Sequence, residues 1–373
     1  IRFRPKRTCA AAASGSSLNV DHGAADCRYS LPATQIARSS ADQRKGRAGR
    51  LSNGVCLRLY SEADFLSRDK FAVPEILRSN LADVILRMIA FRIGDIRTFP
   101  FIESPSERSI RSGFELLVQL GALDEAHQLT PLGKELSHLP VDPTVGRMLL
   151  EARREGCVRE LLIIAAGLSI QDPRERPMEE AKRADSMHQR FQHPESDFLT
   201  LLNIWDAFHD ELERLSQNQV RKFCKEHFLS YIRMREWRDI HAQLERSLSE
   251  LKEFRLNAEP AEYAQIHRAL LSGLLSGVAQ LEADNAYRAT RNRQVTLFPG
   301  STLFRKTPRD RKTGKPKPVA KGTKGAKWIL SGEFMETSRL FARTVAWIDP
   351  SWIERLGMHV IKKKYTDPVY EEK

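Results

Sequence analysis

At 373 residues and 41% hydrophobic content, the chain is long enough for two to four domains, each with a core of its own. Its five scattered cysteines argue against a disulfide framework and suit a cytoplasmic protein, and no apolar run approaches the roughly 18 to 20 residues that cross a bilayer. The net charge of +12 is concentrated: residues 1–50 hold ten Lys/Arg against three acids, residues 305–327 hold ten against one, and residues 51–304 come to −4.

The chain starts at Ile1 without an initiator Met, and its first basic residues have no apolar stretch behind them. It is therefore expected to be part of a longer product, without a secretory signal. Residues 1–40 show little periodicity. Cys9, His22 and Cys27 could be drawn as metal ligands, but no C-x-x-C pair supports them, so no metal site is assigned. Residues 54–60 alternate in the manner of a short strand.

From Pro74 the pattern turns helical. Leu81, Val84, Ile85 and Met88 form one apolar stripe, and a second helix carries Phe114, Leu117 and Leu120 to a stop at Gly121. Ala122-Leu123 and Gln128-Leu129 flank a polar turn and predict a small hairpin; Thr130-Pro131 then offers an N-cap with Pro at N1. Together these predict a winged-helix-like unit over residues 66–140.

A helical bundle is expected next, interrupted at residues 171–195. Val145, Met148 and Leu149 mark one helix, and Val158 to Ile170 is apolar nearly all round and so buried. Phe198, Leu201, Leu202 and Trp205 follow Ser196 as N-cap, and Phe228, Tyr231, Arg235 and Trp237 lie on a long helix. Ile266, Leu270, Leu274 and Val278 predict another. Tyr231, Trp205 and Trp237 read as core in preference to base-stacking platforms, and Arg235 as half of a salt bridge in preference to an RNA contact. After residue 290, short runs (Val295–Phe298, Trp328–Leu330, Phe334-Met335, Thr344–Trp347) predict a small β-barrel with 305–327 as a connecting loop.

The most informative string is Gln43-Arg44-Lys45-Gly46-Arg47-Ala48-Gly49-Arg50. Two guanidinium groups three residues apart can serve one phosphate group, and glycines let a nucleotide approach the backbone. By itself this octamer is equally a basic loop against nucleic acid. Its form, Gln-Arg-x-Gly-Arg-x-Gly-Arg, resembles motif VI of superfamily 2 helicases. Further strings extend the resemblance to DEAH-box ATP-dependent RNA helicases of the HrpA-like kind: Ile76-Leu-Arg-Ser-Asn-Leu-Ala-Asp, Leu168-Ser-Ile-Gln-Asp-Pro-Arg-Glu-Arg-Pro177, Glu195-Ser-Asp-Phe-Leu199, Phe298-Pro-Gly-Ser301 and Glu336-Thr-Ser-Arg-Leu340. It covers about residues 31–370 in order.

The resemblance implies a multidomain protein, mainly α with a small β-barrel. Residues 1–62 would be the remnant of a second RecA-like α/β domain. They would be followed by the winged helix (66–140), a helical ratchet domain (141–255), an OB fold (256–350) and the start of a C-terminal extension (351–373). It implies ATP and Mg2+ as cofactors of the parent enzyme, and Gln43, Arg47 and Arg50 at the γ-phosphate, with the two arginines catalytic. The partner it implies is RNA in single-stranded form, with DNA left open. Arg305, Lys306, Arg309, Arg311 and Lys312 are the candidate backbone contacts, because a basic loop couples to phosphates. A solvated basic loop without a ligand is the other reading of the charge alone.

Three departures qualify that expectation. There is no G-x-x-x-x-G-K-[ST] loop and no Asp-Glu-Ala-His; Gly322 to Lys327 has the wrong spacing, so the chain alone is expected not to hydrolyse ATP. Residues 1–30 do not resemble the family, and the 305–327 loop is longer than expected. The competing expectation is a stand-alone nucleic-acid-binding module without catalysis.

Overall fold

The computed structural model describes residues 16–17, 34–46, 48, 54–78, 80–249, 251, 253–305, 326–337 and 339–361. Cys9, His22 and Cys27 lie outside them. No helix among the described residues is long and apolar enough to cross a membrane.

Two-residue strands β1 (Ser16–Ser17) and β2 (Thr34–Gln35) pair antiparallel ahead of helix α1 (Arg38–Gly46). The start of α1 is tied to a distant turn, since the Arg38 and Ser39 N–H groups donate to the Asp69 and Lys70 carbonyls at 2.9 and 3.0 Å. The strand expected at 54–60 does not form. Val55, Leu57 and Leu59 are 70–72% exposed, so their alternation packs against nothing among the described residues. A pattern of period two becomes a strand only where a neighbour completes the pairing. The short helix α2 (Glu62–Ser67) follows, capped by the Ser61 side chain.

The next helices follow their apolar stripes. α3 (Ala82–Ala90) and α4 (Glu107–Gln119) bury Ile85, Leu86 and Met88 against Ile110, Phe114 and Leu117. Gly113 permits the approach: a Cβ there would lie 2.7 Å from the Ile85 Cδ1. Beyond α4 the chain turns at Gly121 in the left-handed conformation, with φ +74°. The hairpin that follows is a single bridge, Leu123 to Leu129, and not two full strands. Thr130 then caps α5 (Pro131–Ser137), its Oγ1 accepting from the Gly133 N–H at 3.0 Å with Pro131 in the first turn.

The helical region comprises α6 (Pro143–Glu155), α7 (Val158–Leu168), α8 (Ala181–His188), α9 (Asp197–Arg214), α10 (Gln217–Glu226), α11 (Tyr231–Ser249) and α12 (Tyr263–Gly273). α7 packs against α6, α9 and α11, which accounts for its apolar circumference. Trp237 of α11 lies against Gly167 and donates its Nε1–H to the Ile163 carbonyl at 2.8 Å. Trp205 and Trp237 are core residues, as expected. Arg235 is exposed and has no acidic partner among the described residues, contrary to the expected salt bridge.

The expected helix through Val278 stops at Gly273; Leu275–Gly277 is a 3-10 turn, and Val278 opens the barrel. Gly277 passes so close to the Ser331 carbonyl that any side chain would collide with it. Strands β3 (Val278–Ala283), β4 (Ala286–Ala289), β5 (Arg293–Leu297), β6 (Trp328–Glu336) and β7 (Leu340–Trp347) close in the order β3-β4-β5-β7-β6. All neighbours are antiparallel except β5 and β7. The two runs expected at 328–330 and 334–335 are one strand. Tyr287, Val295, Leu297, Ile329, Phe334, Ala342 and Val345 fill the barrel.

Finally α13 (Pro350–Leu356) brings the chain back to its earlier parts. Glu155 of α6 binds Arg268 of α12 at 2.6 Å and Arg355 of α13 at 2.9 Å. The His359 Nε2 donates to the Gln119 carbonyl at 2.8 Å, and Arg291 of the barrel pairs with Glu115 of α4 at 2.5 Å.

Candidate nucleic-acid interface

Of the candidate γ-phosphate residues, Gln43 stands exposed on α1, whose buried side chain is Ala41. Arg47 and Arg50 lie outside the described residues, as do Lys306, Arg309, Arg311 and Lys312. Arg305 is described and exposed.

The two ends of the basic segment are held by one hairpin. Asn285, in the turn between β3 and β4, has φ +54° and grips Arg305 twice: its Nδ2 donates to the Arg305 carbonyl at 2.7 Å and its Oδ1 accepts from the Arg305 N–H at 2.9 Å. Two residues on, the buried Tyr287 hydroxyl donates to the Ala326 carbonyl at 3.0 Å, and burial pushes that phenol up to about 12. The Leu281 N–H donates to the Lys327 carbonyl at 2.9 Å. Residues 305 and 326 thus leave and rejoin the barrel at the same place.

A second feature is the joint between barrel and helices. The stretch before α9 runs along the end of β7: Ser196 bridges Ala346, and the Trp347 N–H donates to the Glu195 carbonyl at 3.0 Å. Asp197, only 3% exposed, accepts from the Thr302 N–H and the Val345 N–H, each at 2.9 Å. One carboxylate thereby fixes the start of α9, the segment after β5 and the middle of β7.

Within that grip Thr344 adopts φ +50°, opposite Gly332. A β-branched residue in this region of backbone space is strained by about 1–3 kcal/mol. Its neighbour Arg343 places its guanidinium carbon 5.0 Å from the Phe298 ring centroid and pairs with Glu333 at 3.2 Å. Phe298 is held by its own N–H to the Ala342 carbonyl at 3.0 Å, with Phe341 edge-on at 6.1 Å, yet remains 38% exposed. Close by, Arg174 forks onto Asp172 at 3.0 and 2.7 Å. Burial works against the charge of Asp172, but Arg174, with Arg343 adding to it, holds the carboxyl below its ordinary range.

The sequence reading did not single out Phe298, Arg343 or Asp197 as site residues. The signals were there in part, since Phe298 and Asp197 stand inside strings that carry the helicase resemblance.

This arrangement of winged helix, helices and closed barrel has counterparts in known families. Residues 114–141 match the winged-helix part of the helicase associated domain (HA2), residues 142–201 match its ratchet-like part, and residues 266–360 match the oligonucleotide/oligosaccharide-binding (OB) fold. Together they define a helicase-associated (HA2) region followed by an OB fold. The chain is 49% identical over 347 residues to the ATP-dependent RNA helicase HrpA of Escherichia coli K12, covering 91% of this chain and 25% of that protein. It is 46% identical over 350 residues to the HrpA homolog of Haemophilus influenzae (92% and 25%). To the human probable ATP-dependent RNA helicase DHX35 it is 33% identical over 338 residues (90% and 44%). The chain corresponds to the C-terminal region of HrpA-like ATP-dependent RNA helicases, and it spans about a quarter of the length of the HrpA relatives it matches.

Proposed function

We propose that this chain is the RNA-handling part of an enzyme that couples ATP hydrolysis to RNA unwinding or translocation in the cytoplasm. The observation that carries the reading is the succession of HA2 winged-helix, HA2 ratchet-like and OB-fold units in one chain. Residues 1–62 are assigned to the second RecA-like domain, and 66–140, 141–255, 256–350 and 351–373 to the units that follow.

Gln43, Arg47 and Arg50 are assigned to the γ-phosphate of ATP in the parent enzyme. A carboxamide and two guanidinium groups fit phosphate oxygens chemically, and Gln43 is exposed on α1. ATP with Mg2+ supplies the phosphoryl group that is transferred to water. The two arginines neutralise the charge that grows on that group. With no phosphate loop in its sequence, the chain alone does not turn ATP over.

Single-stranded RNA is the proposed ligand. Arg305, Lys306, Arg309, Arg311 and Lys312 contact its backbone, and the Asn285 and Tyr287 bonds hold Arg305 and Ala326, on either side of the other four, at the barrel. The test is fluorescence anisotropy of a labelled oligouridine with the purified chain across a salt series, with ATP hydrolysis measured at RNA saturation. Salt-sensitive binding without ATP turnover is expected. Absence of RNA binding overturns the reading, and multiple ATP turnovers overturn the assignment of the chain as inactive alone.

A further inference from the structure

We propose that the apolar face of residues 54–60 is a contact between two copies of this chain, packed face to face about a two-fold axis. The inference is independent of the RNA-binding reading.

The segment is fastened on one side and bare on the other. Arg58 pairs with Asp42 of α1 at 2.6 Å, and its guanidinium carbon lies 4.1 Å from the Phe65 ring centroid. The Tyr60 ring lies 3.9 Å from the guanidinium carbon of Arg68, which pairs with Asp64 at 2.6 Å. Val55, Leu57 and Leu59 alternate with Cys56, Arg58 and Tyr60, which are half-buried, and so share the opposite side. With its other side tied to α1 and α2, the segment cannot turn this apolar side inward. Among the described residues, no backbone–backbone hydrogen bond involves residues 54–60.

The area suits a dimer. Leu66 of α2, with Phe71 and Val73 beyond it, adds three side chains that are 52–66% exposed. Large apolar side chains expose roughly 100 Å² each, so those at 55, 57, 59, 66, 71 and 73 offer about 600 Å² per copy. That is more than the few hundred Å² a monomer ordinarily leaves open. With a polar rim added, it approaches the roughly 800 Å² that each partner contributes to a standard interface.

The charge suits a copy of the same chain. Residues 54–73 carry Arg58, Arg68 and Lys70 against Glu62, Asp64 and Asp69, so this region is neutral in a chain of net charge +12. A neutral apolar face does not attract a polyanion, which argues against nucleic acid as its occupant. It does let two identical patches meet without repulsion at the contact, and positive charge elsewhere is screened beyond roughly 8 Å at physiological salt. A patch that meets itself across a two-fold axis is the commonest form of oligomer contact.

The experiment is sedimentation velocity of the purified chain across roughly 1–100 µM, the weak end of what interfaces of this size support. It compares wild type, Leu57→Glu and Ile102→Glu. Wild type is expected to pass from monomer to a single dimer along the series. Leu57→Glu should melt as wild type does at the dilute end, because Leu57 is exposed in one copy. Its dimer dissociation constant should rise at least about 100-fold, through the loss of two buried leucines. Ile102, fully exposed between α3 and α4, controls for general apolar adhesion, and Ile102→Glu should dimerise as wild type does. Amide hydrogen exchange should slow with concentration at residues 54–60 and not at residues 91–102.

A wild type that stays monomeric at the highest concentration leaves this face to another occupant, such as a further part of a longer chain, and overturns the proposal. So does a spread of aggregates without a dimer, a Leu57→Glu variant that dimerises as wild type does, or dissociation by Ile102→Glu.

Discussion

The Ser196 hydroxyl donates to the Nε2 of His267 across 2.7 Å, and both side chains are fully buried. The other ring nitrogen donates to the Tyr263 carbonyl at 2.7 Å, the ring stacks on Tyr263 at 3.8 Å, and the Ser196 oxygen accepts from the Leu199 N–H at 3.2 Å. A serine and a histidine at this distance have the spacing of a nucleophile and its base. Sealed from solvent, they instead cap α9 and fasten it to α12. The arrangement needs a neutral imidazole, because a second ring proton would face the Ser196 donor.

That requirement predicts acid lability. Burial pushes His267 down to about 4, whereas in the unfolded chain it titrates near the ordinary 6.5. The unfolded state therefore binds a proton first as pH falls. Its contribution is fully present above about 6.5 and is lost progressively down to about 4, to a total of about 3 kcal/mol. Burial also lowers His188, His193, His209 and His241, which act with the same sign. Urea midpoints measured from pH 7 to pH 4 should fall through this window, and less steeply for His267→Gln. Level wild-type midpoints would sink the idea.

Thr344→Gly should raise stability. Its φ of +50° suits glycine and strains a β-branched residue, while glycine adds back some entropy cost in the unfolded chain. The balance favours the variant by about 1 kcal/mol, read as a higher melting temperature. A lower one would mean that the Thr344 side chain contributes more than its backbone strain removes.

Asp197→Ala leaves the Thr302 and Val345 N–H groups without their acceptor. At about 1–3 kcal/mol for each unsatisfied buried donor, the loss should be about 2–6 kcal/mol. Asp197→Asn keeps one oxygen and should fall between Ala and wild type. Denaturant unfolding of the three proteins checks the order, and an Ala variant as stable as wild type contradicts it.

Two glycines should respond differently to alanine. At Gly133 a Cβ would collide with the Ala122 carbonyl and lie 2.9 Å from the Leu129 Cδ1, so the wing must shift. At Gly156 the φ is +73° but nothing lies within 4 Å, leaving only the left-handed strain of about 1 kcal/mol. Melting temperatures should therefore drop more for Gly133→Ala than for Gly156→Ala; the reverse order would mean the wing yields easily.

What could be read from the sequence was whatever local chemistry decides. Thr130-Pro131 and Ser196 start helices where expected, because a cap needs only its next three residues. β3 and β4 went unread, because Gln280, Glu282 and Arg288 give them polar outer faces and their partners are β6 and β5. The helix stripe through Val278 misled because strand pairing, not periodicity, ends α12. Residues 54–60 misled in the opposite sense, with a pattern and no partner. The site divides the same way. Gln43, Arg47 and Arg50 form a contiguous string, whereas Phe298 and Arg343 meet only because β5 and β7 lie parallel, with Leu297 opposite Ala342.

The return of the chain onto α4 has a consequence for how the protein is made. The Gln119 carbonyl waits for His359, 240 residues later, and Glu115 waits for Arg291, 176 residues later. At about 5–20 residues per second, the ribosome needs about 12–48 s to deliver His359. During that interval the early helices can assemble their own core, but this outer edge of α4 stays without its buttress. Completion of the wing region is thus tied to a stretch synthesised long after it, a long-range closure of the kind that slows folding.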